Sequence, residues 1–188
     1  MSLAASALAA ATPVLTRHPQ VAASGLGTPF AAGTRTEGAT ERGTLVSNTA
    51  LAVVDADSIR AGLRTFGLDA LRVRFGVEPS RIIYRTIDPE GRPTTASGLV
   101  VLPSSGDRDL PLVSWLHGTT VYRGEAASVD EAGPDRAIAV LFASAGYAVS
   151  APDYLGLGLG PGRHPYDDIP STVTASLDAL RATRALAT

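Results

Sequence analysis

The spacing of apolar residues predicts a helix near the start of the patterned part of the chain. Positions four and then three residues apart are apolar, which is the period of one helix face, and this predicts a helix over 57–71. The apolar positions are Ile59, Leu63 and Phe66. Ser58 is the expected N-cap, and Gly67 is expected to end the helix because glycine adopts the left-handed conformation without strain.

Beyond this helix the pattern changes to that of β-strands. The segments RIIYRTID (81–88) and TTASGLVVLP (94–103) are rich in β-branched residues, and the turn-forming sequence at 89–92 separates them. Together they predict a β-hairpin. A third segment, LPLVSWL (110–116), is almost entirely apolar, which predicts a strand buried on both faces of a sheet.

Two more helices and one more strand complete the pattern. A helix is predicted over 134–145, since Pro134 suits a first helical position and Gly146 suits the residue past the end. Its expected apolar stripe is Ile138, Leu141, Phe142 and Ala145. The segment GYAVSAPDY predicts a strand ending at Asp153. The last helix is predicted to begin near Ser171, with an apolar face of Val173, Leu177 and Leu180.

The order of these elements indicates the fold class. Strands that alternate with helices predict an α/β protein, because each crossover helix connects two parallel strands. The hairpin adds antiparallel strands, so the expected sheet is mixed. An antiparallel hairpin leads into parallel strands with crossover helices.

Composition excludes several classes of function. The formal charge is −2 and no basic segment stands out, which argues against a nucleic-acid partner. The sequence has no cysteine, so disulfides, thiolate metal sites and a cysteine nucleophile are excluded. The three histidines, His18, His117 and His164, are widely spaced, which argues against a zinc site. No metal or organic cofactor is implied, and no apolar segment is long enough for a transmembrane helix.

The first residues differ from the rest in composition. Residues 1–44 are predicted to form a leader and flexible arm, with the domain occupying 45–188. The Ala- and Leu-rich start, MSLAASALAAATPVL, is typical of a signal peptide within 1–25, although no Lys or Arg precedes Arg17. A secreted protein is the first hypothesis on location. If the segment is only a disordered leader, the protein is cytoplasmic.

The candidate chemistry lies where the third strand ends, at His117-Gly118-Thr119-Thr120. In open α/β sheets, ligands bind beyond the carboxyl ends of the strands. Gly118 lets the backbone approach a ligand closely, and the N–H groups of Thr119 and Thr120 could then stabilise a developing oxyanion. The glycine-rich segment at 156–162 does not have the spacing of a dinucleotide-binding fingerprint.

Taken together, these segments resemble a known family. A strand, HGTT, about thirty residues containing a helix, GYAVSAPDYLGLG, HPY and a final helix follow one another. Over residues 55–188 this order resembles the N-terminal half of an α/β-hydrolase, in the bacterial lipase and esterase branch that includes secretory lipases. The resemblance implies a serine hydrolase acting on a small-molecule or lipid ester.

The resemblance also assigns roles to individual residues. It places the oxyanion hole at His117, Gly118, Thr119 and Thr120, with the Thr119 N–H facing the substrate carbonyl oxygen. It assigns the loop that braces this segment to Asp153, Tyr154, Gly156 and Gly158. His117 matches the signature histidine of the oxyanion loop rather than the catalytic base. His164, in HPY, is expected to be a structural loop residue, and Asp153 is expected to be structural rather than to act on substrate.

One feature of the family is absent from the sequence. The nucleophile of such enzymes is the Ser of a G-x-S-x-G turn, and no such motif occurs in residues 1–188. Ser114 and Ser150 lie in predicted strands with no histidine in a suggestive position. All three members of a Ser-Asp-His triad are therefore expected to lie outside this chain, the serine about ten to fifteen residues beyond Thr188.

This absence leaves three hypotheses open. The chain is part of a serine carboxylester hydrolase and is inactive alone, or it is part of a peptidase on the same fold. The third hypothesis is a non-catalytic binding protein, or the remnant of a disrupted gene, that truly ends at Thr188. Because the family's nucleophile strand would pair with LPLVSWL, the 188-residue chain alone is predicted to expose an apolar edge and to be poorly soluble or loosely folded.

Overall fold

The computed structural model describes residues 42–107 and 109–187. The predicted signal peptide and most of the predicted arm lie outside these residues. The described ranges contain five strands, three α-helices and one 3₁₀ turn, Arg123–Glu125. The strands are β1 (Leu45–Ala50), β2 (Val77–Ile87), β3 (Pro93–Pro103), β4 (Leu112–Ser114) and β5 (Ala148–Tyr154). The helices are α1 (Ala56–Thr65), α2 (Pro134–Ser144) and α3 (Ile169–Ala187).

The five strands form one mixed sheet in the order β1-β2-β3-β5-β4. Strands β2 and β3 form the predicted antiparallel hairpin, in continuous register from Val77 opposite Pro103 to Ile87 opposite Pro93. Strand β5 pairs antiparallel with β3 and parallel with β4. Helix α2 connects β4 to β5, as expected for a parallel crossover. The prediction of a mixed α/β sheet is confirmed.

Strand β4 differs from its prediction. It has three residues instead of seven, although the Trp115 N–H continues the pairing by donating to the Ser150 carbonyl oxygen (2.9 Å). It is an edge strand among the described strands, because it pairs with β5 alone. Leu112 is 41% exposed, and Val113 and Ser114 are only half-buried. The prediction that both faces of this strand are buried is therefore wrong for the described structure.

Helices cover both faces of the sheet and enclose two apolar clusters. On one face, α1 and α2 pack on alternate residues of the central strands, including Leu99, Val101 and Val149. On the other face, α3 packs on residues that point the opposite way, including Ile82 and Val100. This alternation is the two-residue period of a strand, and it makes β3 a strand buried on both sides.

Helix α1 begins one turn away from its predicted cap. Asp55, not Ser58, is the N-cap, and its carboxylate accepts hydrogen bonds from the N–H groups of Asp57 and Ser58. Ser58 instead donates its hydroxyl back to Asp55 (2.7 Å). The helix ends at Thr65 and Gly67 has a φ of +67°, so Gly67 follows the helix as predicted, whereas the predicted range up to residue 71 is too long.

The buried faces of the other two helices differ from the predicted stripes. Helix α2 buries Ala139 and Ala143, while its predicted residues Ile138, Leu141 and Phe142 are half-buried and Ala145 lies one residue past its end. Helix α3 buries Ala175, Ala179 and Ala182, and it exposes Val173 and Leu177. Small residues let both helix backbones approach the sheet closely, so alanines occupy the centre of each contact. The predicted α3 face is wrong for Val173 and Leu177, and the predicted α2 stripe contacts the apolar cluster through Leu141 and Phe142.

The segment before α1 contains one element that the sequence pattern does not predict. Strand β1 extends the sheet beside β2, and five of its six residues are exposed. Residues 42–44, at the end of the predicted arm, are also bound to the domain. The Gly43 N–H donates to the Arg85 carbonyl oxygen (2.8 Å), and Arg42 pairs with the buried Asp178 of α3 (3.0 Å).

Candidate active site

The predicted oxyanion segment follows the carboxyl end of β4 as an irregular loop. His117 is buried, Gly118 and Thr119 are exposed, and Thr120 is half-buried. Within the described ranges, the N–H groups of Gly118, Thr119 and Thr120 form no hydrogen bond to other protein groups. A Cβ atom added at Gly118 would meet no atom within 4 Å, and this residue does not have a left-handed φ. The loop therefore presents free backbone donors beside open space.

The His117 ring is held by the backbone of its own loop and of β5. Nδ1 lies 2.8 Å from the Gly118 carbonyl oxygen, and Nε2 lies 3.3 Å from the Asp153 carbonyl oxygen. A carbonyl oxygen can only accept a hydrogen bond, and a neutral imidazole has a single N–H, so the tautomer decides which of the two contacts is a hydrogen bond. This arrangement agrees with a structural histidine and leaves no ring nitrogen positioned as a catalytic base.

Tyr154 contacts the same loop from the last position of β5. Its φ of +68° is unusual for a residue other than glycine, and such strain often marks a functional position. The hydroxyl donates to the His117 carbonyl oxygen (3.1 Å), and the two rings stack with centroids 4.2 Å apart. Burial raises the pKa of Tyr154, and the nearby Asp135 raises it further, so the hydroxyl stays protonated and remains a donor.

Asp153 lies at an irregularity where β5 pairs with β3. Ser97 pairs with Tyr154 and Gly98 pairs with Pro152, so Asp153 is the extra residue of a bulge. Its carboxylate is fully buried and accepts hydrogen bonds from the hydroxyls of Ser97 (2.6 Å) and Ser128 and from the Ser128 N–H (3.2 Å). Burial raises the pKa of Asp153, whereas the serine hydrogen bonds lower it.

The glycine-rich segment after β5 packs directly on this carboxylate. A Cβ atom at Gly158 would lie 2.1 Å from the Asp153 Oδ2 atom, and the φ of Gly158 is +53°. The next residue, Leu159, donates its N–H to the Ser97 hydroxyl oxygen (2.9 Å). At Gly156, whose φ is +71°, a Cβ atom would lie 2.3 Å from the backbone of Arg163. Gly158 is therefore required by the packed side chains of Asp153 and Ser97, and Gly156 by the packed backbone of Arg163 and His164.

Arg123 connects the glycine-rich segment to the chain that follows the oxyanion loop. Its Nη2 atom donates to the carbonyl oxygens of Gly156 (2.9 Å) and Gly160 (2.6 Å), and its own carbonyl oxygen accepts from the Gly158 N–H (3.2 Å). Neither Arg123 nor the two serines that bind Asp153 are predicted from the sequence. Isolated serines and one arginine form no motif, so the sequence carries no signal for them.

These segments surround a shallow, open pocket of about 290 Å³. Residues 117–120 form one side, and Tyr154, His164 and the first turn of α3 form the other. His164 is placed by a contact of 2.8 Å between its Nδ1 atom and the Leu155 carbonyl oxygen, which makes it a donor there. Asp167, also in the lining, has a φ of +59°. All eight predicted site residues thus lie in one region: five of them line the pocket, and Asp153, Gly156 and Gly158 pack behind that lining.

No serine among the described residues lines this pocket. The hydroxyls of Ser114 and Ser150 are buried within strands and have no hydrogen-bond partner, and neither residue lines the pocket. Across 42–107 and 109–187, no cluster of three or more carboxylates and histidines could hold a metal ion. No helix in these ranges is long and apolar enough to cross a membrane.

Solved structures show the same architecture. The rice cell wall degrading esterase LipA from Xanthomonas oryzae is 34% identical, with a TM-score of 0.65, and the match covers 77% of this chain and 38% of LipA. A protein from Legionella pneumophila, provisionally named a hydrolase, is 33% identical, with a TM-score of 0.69, and the match covers 76% of this chain and 39% of that one. No protein-family model and no curated protein matches the chain.

Both matches cover only part of the solved proteins. The chain spans less than two fifths of the length of either solved protein, so they establish the architecture of the matched part. The mixed sheet, its strand order and its covering helices agree with a partial α/β-hydrolase sheet. The residues described here therefore have an α/β-hydrolase fold of the esterase-like kind.

Proposed function

We propose that this chain supplies the oxyanion-binding part of a serine carboxylester hydrolase. The observation that carries the proposal is the unpaired backbone at Gly118, Thr119 and Thr120, at the carboxyl end of a sheet strand and at the edge of an open pocket. Unpaired N–H groups fixed by a rigid scaffold are suited to stabilise negative charge that develops on a substrate oxygen.

The scaffold that fixes these donors is the buried group around Asp153. Ser97, Ser128 and Gly158 pack on its carboxylate, and Tyr154 holds the His117 carbonyl oxygen. In this proposal His117, Asp153, Tyr154, Gly156 and Gly158 are positioning residues. None of them exchanges a proton with substrate.

The reaction needs a serine, a histidine and a carboxylate that residues 1–188 do not supply. The serine hydroxyl oxygen would bond to the ester carbonyl carbon as the histidine takes its proton, and the carbonyl electron pair would move to the oxygen held by Thr119 N–H. Collapse of this intermediate breaks the bond to the alkoxide, which takes the proton from histidine. Water then releases the acid from the acyl-enzyme by the same steps.

The solved structure of LipA and the lining of the pocket support a class of substrate. LipA is a cell wall degrading esterase, and the pocket here includes the exposed side chains of Tyr166 and Ile169 beside the backbone donors. We place a small-molecule or lipid ester here, with its apolar part against these two residues. Action outside the cytoplasm agrees with the Ala-rich start of the sequence and with a substrate such as the plant cell wall.

The test begins with the gene. The coding sequence past the codon for Thr188 should encode G-x-S-x-G within about twenty residues. The complete natural polypeptide should then hydrolyse short-chain nitrophenyl esters, and the 188-residue chain should not. Cleavage of amides but not esters would favour the peptidase hypothesis. A stop codon at that point, with a cellular product of this mass, would favour the non-catalytic hypothesis.

A further inference from the structure

A second groove lies on the opposite face of the sheet from α3. It runs between α1 and α2 and has a volume of about 280 Å³, close to the lower end of small-molecule sites. Its walls are mainly apolar, with Ile59 and Leu63 on the α1 side and Val140 on the α2 side. The oxyanion loop contributes nothing to this groove, so the two sites are separate.

The groove contains a buried charge without a partner. Arg136, in the first turn of α2, is only 9% exposed and lines the groove. Within the described ranges, its Nη1 atom has no hydrogen-bond partner and its guanidinium forms no ion pair. Arginine remains charged at all physiological pH values, and burying one of its donor groups without an acceptor is unfavourable. An arginine in this position is therefore available to an anion.

The charged groups near Arg136 do not supply the partner that its guanidinium lacks. Glu131 and Asp130 are close enough to raise the pKa of Arg136, yet neither carboxylate reaches it, and burial lowers that pKa more strongly. Arg81 is a second guanidinium nearby and also lowers the pKa of Arg136; it is held by its Nε donation to the Ser128 carbonyl oxygen (2.8 Å). Arg81 does not line the groove, whereas the exposed Glu131 does, so Arg136 is the guanidinium within the lining that can meet one anionic end of a ligand.

We propose that this groove binds a monocarboxylate with an apolar chain. The carboxylate would pair with the Arg136 guanidinium, whose planar donors match carboxylate geometry, and the chain would lie between Ile59 and Val140. The single unpaired guanidinium within the lining favours one anionic group over a dicarboxylate. This site goes beyond the proposed hydrolase and does not depend on it.

Calorimetric titration of the complete natural polypeptide tests the proposal with octanoate and octanol. The two probes share an apolar chain, but only octanoate carries a charge. Octanoate should bind at least tenfold more tightly than octanol, and Arg136→Leu should remove this difference. Equal affinities for the two probes, or a difference that survives in Arg136→Leu, would overturn the proposal.

A second pair of variants locates the ligand even if Arg136→Leu fails to fold. Gly62 lines the groove from α1, has no left-handed φ, and has no atom within 4 Å of where its Cβ would lie. Gly62→Leu should fill the groove and weaken octanoate binding at least tenfold, whereas Gly62→Ala should bind as the natural protein does. Octanoate binding that is unchanged in Gly62→Leu would place the ligand elsewhere, at the ester site for instance, and would overturn the assignment.

Discussion

Gly118 is a glycine that the packing of the described protein does not require. Its φ lies outside the left-handed region, and a Cβ atom there would meet empty space. By contrast, Gly156 and Gly158 have left-handed φ values and would clash with protein atoms. The space in front of Gly118 is therefore the volume that our proposal assigns to the ester substrate.

Replacing Gly118 with alanine should separate catalysis from folding. We expect Gly118→Ala in the complete polypeptide to keep its Tm within a degree or two of the natural value, because no protein atom is displaced. We expect kcat/KM for a nitrophenyl ester to fall about 100-fold, because a methyl group would shift the carbonyl away from the backbone donors. An unchanged kcat/KM would show that substrate does not bind at this loop.

Asp153 gives a prediction about pH. Burial raises its pKa above the ordinary value of 3.8, so the folded protein binds this proton more tightly than the unfolded chain does. Its contribution to stability is then complete below 3.8 and is lost as the pH rises towards the raised value. Measured by urea unfolding, the stability advantage of the natural protein over Asp153→Asn should shrink as the pH rises above about 4.

The opposite trend has a definite meaning. If the advantage over Asp153→Asn grows with pH, the three hydrogen bonds from Ser97 and Ser128 outweigh the cost of burial, and the carboxylate is stabilised as an anion. The bulge around Asp153 would then be held by a charge rather than by a neutral acid.

The sequence predicts where this site lies better than it predicts which residues form hydrogen bonds within it. His117-Gly118 and Asp153 can be found from the sequence because each follows an apolar strand, and parallel strands end at the same edge of a sheet. Ser97 and Ser128 could not be found, because they reach Asp153 only through β-sheet pairing and a distant turn. At α1, Asp55 and Ser58 are both good capping residues, and the sequence alone does not choose between them.

At the level of elements, the segment after β5 offers a matched pair of glycines. Gly158 and Gly162 lie in the same segment, and both have left-handed φ values, +53° and +76°. Only Gly158 is crowded, by the Asp153 carboxylate, whereas a Cβ atom at Gly162 would meet nothing. Alanine at Gly162 therefore tests backbone strain alone, and alanine at Gly158 tests strain together with packing.

The two variants should differ clearly in stability. Gly162→Ala should lower the free energy of unfolding by about 1–2 kcal/mol, the usual cost of the left-handed conformation. Gly158→Ala should lower it by more than about 4 kcal/mol, because the carboxylate and its serines must also move. Urea unfolding of both variants measures the difference. Similar losses for the two would mean that Gly158 does not pack on Asp153.

The elements themselves were largely predictable, but the faces of the helices were not. The β2–β3 hairpin and the ends of α2 follow from turn residues, Pro134 and Gly146, which act locally. The predicted face of α3 failed because larger apolar residues were expected to face the sheet. Instead, alanine side chains contact the sheet, and Val173 and Leu177 remain exposed on α3. The distance between a helix and the sheet decides which of its residues face the sheet, and the periodic pattern of apolar residues does not contain that distance.

For the molecule as a whole, β4 forms an unpaired edge among the described strands. Leu112 and Leu116 are 41% and 51% exposed there. An apolar edge with unpaired backbone groups promotes association between chains. The exposed apolar edge predicted from LPLVSWL is present among the described strands, and the poor solubility of the 188-residue chain stays a prediction.

We expect that 188-residue chain to self-associate in light-scattering measurements. Leu112→Lys should reduce the association, because it places a charge on the edge of the sheet. Leu71→Lys is the matched control: Leu71 is 87% exposed but lies outside the sheet, so its replacement should change the association little. A monomer that unfolds cooperatively would contradict this prediction and would favour a domain complete in itself.

The central claim is that the oxyanion site in these residues serves a serine located outside them. Reaction of the complete natural polypeptide with a fluorophosphonate, followed by peptide mapping, tests it most directly. We predict one labelled serine, within a G-x-S-x-G sequence beyond residue 188, and loss of ester hydrolysis in proportion to labelling. Labelling of a serine within residues 1–188, or hydrolysis that continues without any labelled serine, would contradict the claim.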